Sequence, residues 1–286
     1  MSELLNIIKS RKSVRSFDGK PLSAEDRNKL EQYMEAIANP FGVPVRFVLL
    51  DAKENGLSSP VLTGETMYVA GIVKKGNYAD VAFGFSLEKL VLYAWSLGIG
   101  TTWIGGTMKR ELFEQAAGVS DDEMMPCMSP LGYPAKKHSV KETLMRKGVG
   151  ADSRLSTDKL FFDRTWSVPL NAEDSDELCD LMEMVRWAPS AVNKQPWRII
   201  AADGSFHFYE NRTRAMSVRR PAISRRSMSV LHFVTLFPAW SRRERNRMSW
   251  SRTPGFLFLI ACTISLLYGD WFRREAELNS CFPMHY

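Results

Sequence analysis

The sequence predicts an α+β protein made of two repeated halves around one central buried helix. Amphipathic helical patterns alternate with short apolar strands over the first 213 residues. An apolar run at 78–97 is long enough to be a core helix, and it stops at Gly98. The motif Pro21–Asp26 recurs as Pro169–Asp174, an offset of 148 residues. These observations indicate a duplicated globular protein.

Hydrophobic periodicity and turn residues place the individual elements. Helices are predicted at 2–9, from Ser23 to about Ala38, and at 78–97, 109–117 and 175–187. Strands are predicted at 46–50, 67–74, 99–106, 124–131 and 198–202. The basic stretch 136–154 is predicted to be a linker between the halves.

The repeat continues behind its first motif. Apolar helix positions and one strand also match: Leu30 and Met34 with Leu178 and Met182, and Arg46–Val48 with Arg198–Ile200. The chain is therefore divided into a first half at 1–155, the start of a second half at 156–213, and an aberrant basic tail at 214–286.

The formal net charge of +6 comes from the tail. Residues 1–213 hold 26 Lys and Arg against 28 Asp and Glu, whereas residues 214–286 hold 12 Arg, no Lys and 4 acidic residues. A nucleic-acid-binding function would rest on this tail alone, so no nucleic-acid partner is expected. The apolar run 255–269 is shorter than the roughly 20 residues of a membrane span, so no membrane partner is expected either.

The remaining composition points to a cytoplasmic protein. The first ten residues carry charges around a very short apolar patch, which does not resemble a signal peptide. The four cysteines are widely spaced and form no Cys-x-x-Cys pair, so neither disulfides nor a metal site is expected.

Two short motifs carry the functional signal. The pentad Arg11-Lys12-Ser13-Val14-Arg15 groups three cations and a hydroxyl, the donors that a phosphate needs. The loop at 188–197 combines two prolines, small residues and Asn193, and its amide groups could face a flat polar ligand. Taken separately, the pentad is typical of a solvated basic turn and the loop of a plain helix-to-strand connection.

Together, the pentad and the Pro-Ser-x-x-Asn-x-Gln-Pro-Trp loop resemble the flavin-binding framework of the nitroreductase family. Over about residues 1–213, the resemblance is to the internally duplicated, single-chain branch of this family. This implies a nitroreductase-like fold in which two halves form a pseudo-dimer with antiparallel-rich sheets. The first half keeps the pentad and the second half keeps the loop, as expected for a fused, monomeric pseudo-dimer that retained one of two sites.

The resemblance implies an FMN-dependent oxidoreductase that takes hydride from NAD(P)H and passes it to a nitroaromatic or quinone. The implied phosphate-end ligands are Arg11, Lys12, Ser13 and the linker residue Arg154. Arg15 is expected near the pyrimidine edge of the flavin, and the backbone of Gly105 and Gly106 near its N5 atom. From the second half, Pro189, Ser190 and Asn193 are expected to close the site.

No general acid or base is identifiable in the sequence, so the small-molecule substrate stays open. Two alternatives are retained: a non-catalytic flavin-binding pseudoenzyme, and a dehalogenating or flavin-fragmenting relative with the same fold.

The tail at 214–286 is interpreted as out-of-frame sequence. Ile223–Thr235 can be encoded so that reading one base earlier gives Asp-Ile-Gln-Lys-Ile-Asp-Val-Gly-Ile-Ala-Leu-Cys-His. Its Gly-Ile-Ala-Leu aligns with Gly84–Leu87 of the predicted core helix. A frame change also turns AAG lysine codons into AGA arginine codons, which explains a tail rich in Arg and devoid of Lys.

Sequencing the gene tests this interpretation. We expect that restoring a single base near codon 214 opens a longer frame whose product continues the repeat. If no such change opens a matching frame, the tail is a genuine part of the protein.

Overall fold

The computed structural model describes residues 3–172, 175–202 and 205–211. The helices are α1 (Glu3–Ser10), α2 (Ala24–Ala36), α3 (Ala79–Ser96), α4 (Arg110–Ala116), α5 (Val140–Gly148) and α6 (Asp176–Trp187). The strands are β1 (Val45–Asp51), β2 (Met67–Lys74), β3 (Glu123–Met124), β4 (Met128–Leu131), β5 (Phe161–Asp163), β6 (Trp197–Ala202) and β7 (Ser205–Glu210). Short 3₁₀ turns occur at Thr157–Lys159 and Ala191–Asn193.

Serine caps fix the starts of three helices. The hydroxyl of Ser23 accepts a hydrogen bond from the backbone N–H of Asp26 at 3.1 Å, and Ser139 and Ser175 cap α5 and α6 in the same way. Each cap satisfies a backbone donor that the first helical turn leaves unpaired. The repeat alignment matches Ser23 with Asn171, so α6 begins one turn later than that alignment predicts.

The first sheet is four-stranded and antiparallel, with β2 at its centre. β1 pairs with one edge of β2 in the register Val45 to Val73, and β3 and β4 pair with successive parts of its other edge. Nearly all of β2 is buried. Such a strand reads as a continuous apolar run, which is why the sequence predicted its bounds correctly.

The second sheet has the order β5-β6-β7. β5 is parallel to β6, and β6 is antiparallel to β7. The order of helix, strand and antiparallel strand therefore occurs in both halves, as α2-β1-β2 and as α6-β6-β7. The combination of helices with mainly antiparallel sheets confirms the predicted α+β class. The duplication itself stays a prediction.

Helix α3 is the structural hub, as the apolar run at 78–97 predicted. Phe83 and Leu87 pack in the core under the first sheet, whereas Phe85 packs against Leu160 and Phe161 of the second half. Leu92 belongs to a third core. Burial of large side chains stabilises a fold by about 1.5–3 kcal/mol each, so this helix ties both halves together.

A seam between α1 and α6 joins the two ends of the described chain. Leu5 and Ile8 of α1 pack with Leu92 of α3 and Met184 of α6. At the edge of the seam, the Lys9 ammonium lies 3.2 Å from the Glu183 carboxylate. The basic pentad, which directly follows α1, is thereby brought to the same side as the loop that directly follows α6.

The structure corrects three predicted elements. The predicted strand at 99–106 forms isolated bridges, such as Ser13 to Thr101, instead of a regular strand. The predicted strand at 124–131 is divided into β3 and β4 around Pro126, which has no N–H to donate. The linker at 136–154 contains the capped helix α5, which its many basic residues concealed.

Two sequence predictions concern parts of the chain beyond the described residues. The tail at 214–286 lies entirely outside them, and with it the apolar run 255–269. Within the described part of the chain, no helix combines the length and the apolar character that crossing a membrane requires.

Gly100 sets the position of the pentad. The N–H of Val14 donates to the carbonyl of Thr101 at 2.9 Å, and a Cβ atom at position 100 would lie 2.8 Å from the Val14 side chain. We expect Gly100→Ala to lower the free energy of unfolding by about 1–3 kcal/mol through overpacking. Gly76→Ala, where a Cβ meets no atom within 4 Å, is the control and should change it by less than about 0.5 kcal/mol. Chemical denaturation measures both, and equal effects would contradict the packing argument.

Candidate functional site

The pentad runs parallel to the segment that follows α3. Ser13 forms a parallel bridge to Thr101, and the N–H of Arg15 donates to the Glu142 carboxylate at 3.2 Å. Along the pentad, Arg11 is buried, Ser13 and Arg15 are half-buried, and Lys12 is exposed. The three cations of the motif therefore differ in solvent exposure, although the sequence does not distinguish them.

Arg11 meets a carboxylate of the hub helix. Its Nε lies 3.9 Å from Oε1 of Glu88, and both side chains are at most 4% exposed. Oε2 of Glu88 accepts a hydrogen bond from the indole N–H of Trp103 at 3.2 Å. Burial lowers the pKa of Arg11 and raises the pKa of Glu88 to about 7, and each partner opposes the shift of the other.

Arg154, at the end of the region predicted as a linker, lies within electrostatic range of Arg11. Its guanidinium donates to the carbonyls of Ala151 and Ser153 at 3.0 and 2.7 Å and stacks on the Trp187 ring at 4.8 Å. Burial, followed by the positive charges of Arg11 and other arginines, lowers its pKa to about 10. Its buried Nε has no hydrogen-bond partner among the described residues.

Asn193 fastens the loop of the second half to the segment that carries Arg154. Its amide N–H group donates to the carbonyls of Gly150 and Ser153 at 2.7 and 3.0 Å, and its Oδ1 accepts from Arg154 at 3.5 Å. Next to it, Oε1 of the buried Gln195 accepts from the N–H of Leu155 at 2.8 Å. These hydrogen bonds fasten the loop of the second half to the end of the first half.

The loop backbone is strained. Val192, Asn193 and Gln195 have φ angles of 46°, 55° and 45°, in the left-handed region that costs most for a β-branched residue such as Val192. The hydroxyl of Ser190 accepts from the N–H of Gln195 at 2.9 Å, which supports this conformation and leaves its own O–H free to donate. Pro189, just before it, is half-buried.

Arg15 lies beside helix α5. Burial lowers the pKa of the Arg15 guanidinium. The Glu142 carboxylate opposes this shift, and the like charge of Arg146 adds to it; both residues are on α5. Arg146 forms an ion pair with Asp152 in the segment that Asn193 holds. Helix α5 and the residues after it thus connect Arg15 to Asn193.

A cavity of ≈ 410 Å³ lies on this connecting segment. It is lined by His138, Thr143, Arg146, Lys147 and Gly150–Ser153. The two glycines predicted near the flavin N5 atom lie after the bridge residue Ile104: Gly105 is buried and its carbonyl accepts from Arg110 at 3.0 Å, whereas Gly106 is exposed and a Cβ there would meet no atom within 4 Å. The backbone at Gly106 is therefore open to a ligand.

Taken together, the arrangement favours an anion. Arg11 and Arg154 repel each other, Arg154 keeps an unused donor, and the buried hydroxyl of Thr101 also has no hydrogen-bond partner among the described residues. A phosphate would relieve the repulsion and use the spare donors. Across the same described ranges, no group of three or more His, Cys, Asp or Glu side chains is placed to hold a metal ion.

Sequence reasoning missed Glu88, Gln195 and Glu142. Glu88 sits in a helix that is apolar on nearly every face, and an ionisable residue there has to be paired once buried. The sequence therefore did contain a signal for Glu88, namely a carboxylate within an otherwise apolar helical run. Gln195 was part of the quoted loop motif but was given no role.

Comparisons with known proteins identify the family of the chain. A family model described as "Putative TM nitroreductase" matches residues 3–221. No curated protein matches the chain in sequence.

Among solved structures, the chain is similar to a crystal structure titled "putative nitroreductase" from Thermotoga maritima, with 18% identity, coverage of 90% of this chain and 91% of that one, and a TM-score of 0.52. It is also matched by a nitroreductase with bound FMN from Bacteroides fragilis, at 21% identity over 49% of this chain and 92% of that one, with a TM-score of 0.41. The first of these shows a shared fold.

The Asn193 contacts can be tested by stability alone. We expect Asn193→Ala to lower the free energy of unfolding by about 1–3 kcal/mol, because two carbonyls lose their donor and alanine tolerates the left-handed backbone less well. Lys194→Ala, at an exposed neighbour, should change it by less than about 0.5 kcal/mol. Urea unfolding distinguishes the two variants. An unchanged free energy of unfolding in Asn193→Ala would show that the hydrogen bonds of the Asn193 side chain contribute nothing to stability.

Proposed function

Because the chain belongs to the nitroreductase family described by that model, we propose that it is an FMN-dependent oxidoreductase that reduces nitroaromatics or quinones with NAD(P)H. The observation that carries the proposal is the meeting of Arg11, Arg154 and Asn193, which come from different parts of the chain. We propose that the site lies within a single chain and that the protein has neither a nucleic-acid nor a membrane partner.

The phosphate end of the cofactor fits the arginine pair. Arg154 has an unpaired buried Nε, and Arg11 is held by one carboxylate at 3.9 Å, which is longer than a direct hydrogen bond. Arginine forks pair with phosphate oxygens in two-pronged geometry. Ser13 would add a hydroxyl, and the exposed Lys12 would contribute charge from the rim.

The ring end would lie between Gly106 and the loop at 189–193. When bound, FMN supplies the hydride chemistry, and the protein contributes orientation and electrostatics. Arg15 would place its charge near the pyrimidine edge and stabilise negative charge there. Ser190 can donate its hydroxyl hydrogen, and Asn193 keeps the loop closed over the site.

We further propose one FMN per chain. In a pseudo-dimer, the first-half loop at 39–43 would serve a second site with residues near 162–166. In the structure, Phe41 of that loop packs into the core that contains Phe85, Leu160 and Phe161, with the Phe41 and Phe85 rings 6.2 Å apart. This apolar packing of Phe41 supports a single cofactor site per chain.

The family match ends at residue 221, close to the start of the tail predicted to be out of frame. We therefore assign the site to the first 213 residues. Truncated protein is not needed to examine this assignment, because each site residue can be changed in the full chain.

Titration of the full chain with FMN, followed by quenching of flavin fluorescence, tests the proposal. We expect one equivalent to bind, and Arg154→Ala to weaken FMN at least about tenfold, because a charge-assisted hydrogen bond contributes about 1.5–3 kcal/mol. Riboflavin, which lacks the phosphate, should be affected far less. Arg27→Ala removes an exposed arginine on α2 and is the matched control.

Turnover separates the alternatives. Consumption of NADH or NADPH with nitrofurazone or a quinone supports the oxidoreductase. FMN binding without any reductant oxidation would favour a non-catalytic flavin-binding protein, and turnover of halogenated phenols alone would favour a dehalogenating relative. Failure to bind FMN at all would overturn the proposal.

A further inference from the structure

Glu88 touches both ends of the proposed site. One carboxylate oxygen faces Arg11 at the phosphate end, and the other accepts from Trp103, two residues before Gly105 at the ring end. The side chain is 2% exposed, on the helix that ties the two halves together. A buried carboxylate in this position affects any anion that binds Arg11.

The charged groups around Glu88 come from several elements. Arg11 follows α1, and behind it Arg154 lies near Arg186 of α6, Arg146 of α5 and Asp152. Arg186 is already paired with Glu183, which also binds Lys9. On α3 itself, Lys89 donates to the carbonyl of Ala38 at 3.5 Å. Glu88 is therefore the carboxylate that acts on Arg11 in this part of the chain.

A bound phosphate would compete with Glu88 for Arg11. Two anions close to one buried guanidinium repel each other, and the ionised carboxylate would lose part of its partner. Taking up one proton from solvent converts the Glu88 carboxylate to the neutral acid and removes this repulsion. As the neutral acid, Glu88 still accepts the Trp103 hydrogen bond through its carbonyl oxygen.

We propose that Glu88 is a positioning residue that couples phosphate binding at Arg11 to uptake of one proton. This inference rests on the proposed FMN function and adds a specific linkage to it. The burial of Glu88 raises its pKa to about 7, so the proposed proton uptake occurs near neutral pH, where binding can be measured.

The sign of the pH dependence follows from linkage. A phosphate raises the pKa of Glu88 further, so affinity is highest where Glu88 is already protonated and falls as the pH rises above about 7. The second ionisation of the phosphate, near pH 6, is largely complete in this range. We expect FMN to bind roughly tenfold more weakly at about pH 8.5 than at about pH 7, corresponding to part of one coupled proton.

The experiment compares FMN and riboflavin affinities of the full chain between about pH 7 and 8.5. For Glu88→Gln, which keeps the size and the acceptor for Trp103, we expect the slope with FMN to vanish and the affinity at about pH 8.5 to exceed that of the unchanged protein. Riboflavin should show no slope in either protein. Glu123→Gln is the control, because Glu123 pairs with Arg46 on the first sheet and its pKa is lowered to about 2.

Each result has one meaning. Equal FMN slopes in the unchanged protein and Glu88→Gln, or an equal slope with riboflavin, would overturn the linkage while leaving FMN binding intact. A uniform loss of affinity in Glu88→Gln at every pH would reduce Glu88 to a structural role. Absence of FMN binding by the unchanged protein would overturn the proposed function as well.

A second measurement needs no variant. Calorimetric titration of the unchanged protein with FMN in buffers of different ionisation enthalpy reports the protons taken up. We expect uptake of between about one half and one proton near pH 7.5. Zero uptake with FMN, or the same uptake with riboflavin, would overturn the proposal even if Glu88→Gln did not fold.

Discussion

The burial of a carboxylate in the hub helix is the constraint on which the site depends. α3 packs against both halves, and Glu88 lies in its interior at 2% exposure. An unpaired charge there would cost several kcal/mol, so the fold has to bring a cation to it. Arg11 meets that requirement, and the apolar seam between α1 and α6 holds the pentad in place for it.

The opposite side of the site depends on backbone groups. Asn193 and Gln195 are bonded to main-chain atoms between Gly150 and Leu155, and both have left-handed backbone angles. Strained conformations persist when surrounding hydrogen bonds over-determine them. A loop held in this way presents its polar groups without having to reorganise when a ligand arrives, which lowers the entropic cost of binding.

Periodicity and motif reasoning predicted α1, α2, α3 and β2 well, because apolar spacing and serine caps are local signals. It missed α5, whose first turn is defined by the Ser139 cap but whose residues are mostly polar. It proposed candidate residues in both halves of the chain, since each half carries its own motif. It could not find the pairing of Glu88 with Arg11, because partners distant in sequence leave no periodic trace.

The site joins residues from opposite ends of the described chain, and this affects how the protein is made. Arg11 leaves the ribosome early, whereas Asn193 follows only after the whole first half has been translated. Until then, the guanidinium of Arg154 lacks the side chain that accepts from it at 3.5 Å. Under the proposed function, the complete cofactor site therefore forms late in biosynthesis, because a nascent chain that stalls before the loop lacks Asn193.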